Sequence, residues 1–127
     1  MRSKALNQTT GKLGEQLGEV YLKKHGYHIL ERNVRSPFGE IDLVANHQGI
    51  LVFIEIKTRR NRDFGFAEEA VDRHKKNQLV RLAAWYLMRY PKQPPARFDV
   101  LAIYVGQAEP EIHLIQDAFS LETNFGY

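Results

Sequence analysis

Cysteine is absent from the 127 residues, which excludes disulfides, thiolate nucleophiles and cysteine-bound metal. That absence fits a reducing, cytoplasmic setting. No apolar run reaches the length of a membrane span. The opening "MRSKALNQTTGK" has basic residues with no apolar segment behind them, so neither a signal peptide nor a membrane partner is expected. There is no internal repeat and no low-complexity segment. The five histidines, at 25, 28, 47, 74 and 113, include no pair at zinc-ligand spacing. No serine stands in a nucleophile elbow, and no glycine-rich loop follows a strand to cradle a nucleotide.

What remains has the composition of an ordinary globular protein, 43% hydrophobic and 26% charged. At this length one domain is expected over residues 1–127, with residues 1–9 as a flexible N-terminus. Eighteen basic against fifteen acidic side chains leave a net charge of +3, a lean towards a polyanionic partner.

Periodicity divides the chain. "TTGKLGEQLGEVYLKKHGY" predicts a helix with Leu13, Leu17, Val20 and Tyr21 as its apolar stripe and Thr9 or Thr10 as its cap. Glycines 11, 14 and 18 are poor helix formers, so they imply close approach to the backbone. "YHILERNV", "EIDLVA" and "ILVFIEIKT" predict three strands joined by the turns "RSPFGE" and "NHQG", an antiparallel meander. A long helix over 68–89 follows, buried through Val71, Leu79, Leu82, Ala83, Tyr86 and Leu87. It ends at "YPKQPP". "RFDVLAIYV" predicts a buried strand and "EIHLIQ" an edge strand. Strand, helix and strand in succession imply a right-handed crossover. The expected class is α/β, a mixed sheet of about five strands flanked by helices.

The charges inside the strands need an explanation. Side chains alternate along a strand, so Glu55 and Lys57 share one face while Ile54 and Ile56 share the other. Asp42 lies mid-strand on the preceding arm of the hairpin, able to face Glu55. A Glu-x-Lys pair can be a plain ion pair on a solvated surface; in so apolar a strand, with Asp42 on its partner, the two readings are a mutually neutralising structural cluster and a site that faces a cleft. Burying such groups unpaired is strongly unfavourable. Hard cations such as Mg²⁺ and Mn²⁺ take a few carboxylates and keep waters and substrate oxygens at the other positions. Asp42 and Glu55 suit that role, with the carbonyl of Ile56 as a third oxygen. Lys57 is placed to orient water or neutralise developing charge. Glu15, on the glycine-rich helix face, is a fourth candidate acid. Lys75 and Gln78 continue the inward row of the second helix and are counted with the candidate nucleic-acid contacts. The run "KTRRNRD", with Arg59, Arg60 and Arg62, leaves directly from the acidic strand as a candidate phosphate contact, and Arg32 and Arg35 extend that rim. Phe64 and Phe66 suit core packing.

The stretch from Gly11 to Ala118, including "GEIDLVA", "LVFIEIKTRR" and "QDAF", resembles the YraN-type family of small bacterial proteins. That family is similar in fold to the PD-(D/E)XK restriction-endonuclease-like superfamily, particularly archaeal-type Holliday junction resolvases. The resemblance implies that Asp42 is the metal-binding acid, Glu55 the (D/E), Lys57 the K and Glu15 the helix-borne acid. It also implies that Lys75 matches a lysine of the second helix. Ile41 stands where the signature has proline. By analogy of fold the implied activity is metal-dependent hydrolysis of structured or branched DNA, with dimerisation following from a need to cut two strands. The alternatives are a nucleic-acid-binding module without cleavage and an adaptor that docks another protein.

Overall fold

The computed structural model describes residues 2–60, 73–106 and 108–119, with side chains from residue 11 onward. Helix α1 (Arg2–Lys24) leads into strands β1 (His28–Ser36), β2 (Gly39–His47) and β3 (Ile50–Arg59). Helix α2 (Arg73–Leu87) then connects to β4 (Ala96–Tyr104) and β5 (Glu111–Phe119). The five strands form one sheet in the order β1-β2-β3-β4-β5. Only β3 and β4 run parallel, because α2 carries the chain back between them; the other neighbours are antiparallel. This is the expected mixed sheet, with a restriction-endonuclease-like α/β layering. Val71, Arg62, Phe64 and Phe66 lie outside the described residues. No described helix is long and apolar enough to cross a membrane.

The two faces of the sheet carry two cores. On one side Leu79, Val80, Leu82, Ala83, Tyr86 and Leu87 of α2 pack over Val44, Phe53, Phe98 and Val100. On the other, Leu22 of α1 and Tyr27 pack over Leu43, Val52, Ile54, Leu101 and Ile103. β3 and β4 are apolar on both faces because both faces are covered.

Helix α1 corrects part of the sequence reading. It begins at Arg2, so Thr9 and Thr10 lie within the helix and not at its start. Leu13 and Val20 are exposed. The buried stripe is Gly14, Gly18 and Leu22, flanked by half-buried Leu17 and Tyr21. Small residues face the sheet because the helix backbone lies directly on it. A Cβ on Gly14 would stand 2.1 Å from the Thr58 hydroxyl oxygen, and one on Gly18 3.0 Å from Leu101.

That contact predicts a sign. Gly14→Ala gains up to about 1 kcal/mol of helix propensity, but Thr58 is β-branched and has little freedom to move aside. Overpacking of roughly 1–3 kcal/mol should prevail. Thermal unfolding should therefore show Gly14→Ala melting several degrees below wild type. Adding Thr58→Ala in the same chain should restore most of the loss. Equal melting of Gly14→Ala and wild type would show that the helix does not rest on Thr58.

Candidate functional site

The β2–β3 ladder runs from His47↔Ile50 to Leu43↔Ile54 and stops there. The next opposed pair in that register is Asp42 and Glu55. Regular alternation also ends at this point, since Ile41 joins the α2-side core while Leu43 and Ala45 belong to the α1-side core. Opposite Asp42 on β1 stands Asn33, whose φ of 52° is left-handed. With the ladder ended, the Ile56 N–H donates to Asp42 Oδ2 at 2.6 Å. A residue's N–H and C=O leave the same edge of a strand, so the Ile56 carbonyl opens towards the same gap.

Burial and the adjoining Glu55 carboxylate push the Asp42 carboxyl up to about 7, against a pull downwards from the Ile56 N–H. Glu55 is buried, with 5% of its surface exposed. Its Oε2 lies 3.0 Å from Lys75 Nζ and 3.8 Å from Lys57 Nζ. Both contacts are ion pairs, and among the described residues that buried oxygen has no well-aligned hydrogen-bond donor. Lys57 therefore shares Glu55's face, as the strand period requires. Burial lowers the proton affinity of Lys75, but its contact with Glu55, and the charges of Asp42 and Glu40, raise it above the usual lysine value.

A cavity of about 30 Å³ opens beside Asp42, lined by Glu15, Glu19, Arg32, Asn33 and Ile56 among others. It is large enough for one water or ion. Glu15 itself is exposed, and its charge contributes to the upward shift of Asp42. Among the described residues no three His, Cys, Asp or Glu side chains converge as a metal-ligating group. The close acidic pair is Asp42 and Glu55, with Glu15 farther out. Two carboxylates and a carbonyl fit an ion such as Mg²⁺ or Mn²⁺, which keeps several waters.

The basic candidates are dispersed. Arg32 makes two 2.7 Å hydrogen bonds to the Glu19 carboxylate, and Arg35 pairs with Glu40 at 3.2 Å on the surface. Arg59 reaches the Thr58 carbonyl, Arg60 is exposed, and Gln78 is half-buried on α2. Lys75 is drawn to the acidic pair rather than outward.

Sequence reasoning missed a second polar cluster. Asp99 is 1% exposed and accepts from Tyr27 Oη at 2.6 Å, Arg97 Nε at 3.0 Å and the Asp117 N–H at 2.9 Å. Arg97 Nη2 also meets Tyr27 Oη and His47 Nδ1, and Gln116 donates to the same Tyr27 oxygen. Arg-x-Asp at the start of β4 is the same alternation that marked Glu55 and Lys57.

A family model described as "Uncharacterised protein family UPF0102" matches residues 14–103, which span the acidic pair, both lysines and four of the five strands. The chain belongs to this family. A UPF0102 protein of Koribacter versatilis is 45% identical over 114 residues, covering 88% of this chain and 80% of its own. One from Symbiobacterium thermophilum is 45% identical over 116 residues, covering 90% and 98%. Another, from Syntrophomonas wolfei, is 43% identical over 115 residues, covering 90% and 100%. The YraN-type resemblance is thus upheld, and these UPF0102 relatives span nearly all of the fold described above.

The raised Asp42 pKa sets a pH dependence. Its value in the folded chain lies above the ordinary carboxylate value, so between about pH 4 and 7 the native state holds a proton that the unfolded chain has lost. Stability should fall as pH rises through that window. Asp42→Asn keeps the shape without the ionisation. In chelator, the variant should be more stable than wild type by roughly 2–4 kcal/mol above neutrality and should converge with it near pH 4. Parallel pH profiles of the two proteins in denaturant titrations would remove Asp42 from the buried acidic pair.

Proposed function

We propose that this UPF0102 protein is a metal-dependent endonuclease acting on structured or branched DNA. The observation that carries the reading is the buried pair Asp42 and Glu55 at the end of the β2–β3 ladder, with Lys57 on Glu55's face. A structural cluster has no need to place two carboxylates together, since like charges at close range raise each other's cost of ionisation. A divalent cation removes that cost.

Asp42, Glu55 and the Ile56 carbonyl would hold a Mg²⁺ or Mn²⁺ ion. Bound there, the ion supplies Lewis-acid polarisation of a phosphodiester and a more acidic water. Asp42 keeps its orientation through the Ile56 N–H. Glu15, at the mouth of the cavity, is placed to accept a proton from water. Lys57 is 23% exposed at its side chain and is free to meet charge developing on phosphate oxygens. Arg59 ends the same strand, Arg60 follows it, and both would hold the backbone of the nucleic acid, with Arg32 and Arg35 on the β1 side. Resolving a branched junction requires two such sites, so a homodimer accompanies this reading.

The test is a panel of labelled branched and linear substrates with Mg²⁺, Mn²⁺ or chelator. Wild type should cut in either metal. Glu55→Gln and Lys57→Ala should each lose about a hundredfold or more. Lys57→Ala should still fold, because Lys75 lies closer to Glu55 and leaves it compensated. A marked loss of melting temperature in Lys57→Ala, with no cleavage by wild type, would return the cluster to a structural role and favour a non-cutting nucleic-acid-binding module.

Binding has its own readout. Replacing Arg59 and Arg60 with Gln should lower the slope of log affinity against log salt by about 0.9 for each lost contact to duplex phosphate. An unchanged slope would place both arginines on ordinary solvated surface.

A further inference from the structure

Among the described residues Lys75 is the nearest charged partner of Glu55, yet it comes from the first turn of α2 rather than from the strand pattern. Its Nζ stands 3.0 Å from an oxygen that is fully buried and that has no well-aligned hydrogen-bond donor among the described residues. The contact is a short ion pair. The Lys75 side chain is 35% exposed, against 6% for Glu55, so its head has a path to solvent. Glu40, exposed at the start of β2, lies near enough to act on the same ammonium. Lys75 thus has a second carboxylate within its electrostatic reach.

We infer that Lys75 is the resident counter-cation of the acidic pair, and that a divalent ion settles on Glu55 only as that ammonium withdraws. This rests on the metal-binding reading above. Without metal, Asp42 and Glu55 face each other in a buried gap and need positive charge nearby. Lys57 at 3.8 Å supplies part of it and Lys75 at 3.0 Å the larger part. A divalent ion on the same carboxylate meets a like charge in Lys75, a repulsion worth roughly tenfold in affinity even at the dielectric of water. The withdrawn ammonium turns towards Glu40 and the mouth of the site, where it can receive an anionic oxygen. Metal occupancy and the position of the α2 lysine are then two ends of one exchange. The metal-free protein stays folded because its acids are never left bare.

The test uses the full chain with Mn²⁺ alone, in the absence of nucleic acid. Calorimetry on wild type, Lys75→Met and Lys75→Arg should give about tenfold tighter Mn²⁺ binding for Lys75→Met, while Lys75→Arg stays near wild type. A second readout needs no variant to bind metal. With lysines reductively methylated using ¹³C, the Lys75 signal, assigned by its loss in Lys75→Arg, should move to the position of a solvated lysine as Mg²⁺ is added. Equal or weaker Mn²⁺ binding by Lys75→Met, or a Lys75 signal that ignores Mg²⁺, would overturn the inference and leave the nuclease reading standing. No binding by any of the three proteins would overturn both. Tighter binding by Lys75→Met together with no cleavage of any substrate would uphold the exchange and defeat the nuclease reading alone.

Discussion

The hydrogen bond from the Ile56 N–H to the Asp42 carboxylate, at 2.6 Å, is the constraint from which the site follows. A sheet normally satisfies each strand's backbone groups with its neighbour's. Where β2 and β3 part after Leu43 and Ile54, the Ile56 N–H on the β2 side takes a side chain instead. That substitution lets the strands separate without stranding a buried donor. It also fixes an acid in the gap and brings it against Glu55, which the strand period of β3 already turns to that face. The acidic pair is a product of how the sheet opens. Its chemistry depends on that opening being held.

Much of this was legible. Charges inside apolar strands marked Asp42, Glu55 and Lys57, and the period of two put Glu55 and Lys57 together, as the structure has them. The short turns implied the meander, and the single long crossover implied one parallel pair. Helix α1 was misread because an amphipathic pattern is searched for in large residues, while here the buried face is built from Gly14 and Gly18. The absence of side chain was the signal. The Tyr27–Arg97–Asp99 network escaped because its members are 70 and 72 residues apart, and no periodicity encodes such distances. The two-residue alternation of Arg97 and Asp99 in a strand otherwise free of charge was the available clue.

Lys75 shows a different limit. The inward row of α2 was legible, but the carboxylate that its lysine meets was not. Helix periodicity gives the direction of a side chain and says nothing about what waits there. The 3.0 Å approach to Glu55 depends on the crossover bringing the first turn of α2 over β3, a tertiary event. Two lysines from different elements meet one carboxylate.

The polar cluster around Asp99 bears on how the molecule behaves among its own copies. β5 closes the sheet on one side, and a straight outer strand offers a row of backbone donors and acceptors to any passing chain. Asp117 breaks that row. Its φ of 53° is left-handed, the register slips between Phe98 and Val100, and its N–H turns inward to Asp99. The border strand is thus bent and tethered from within by a carboxylate anchored to Tyr27 and Arg97. The kink interrupts the row that edge-to-edge pairing with another strand would need, and the buried network holds it in place.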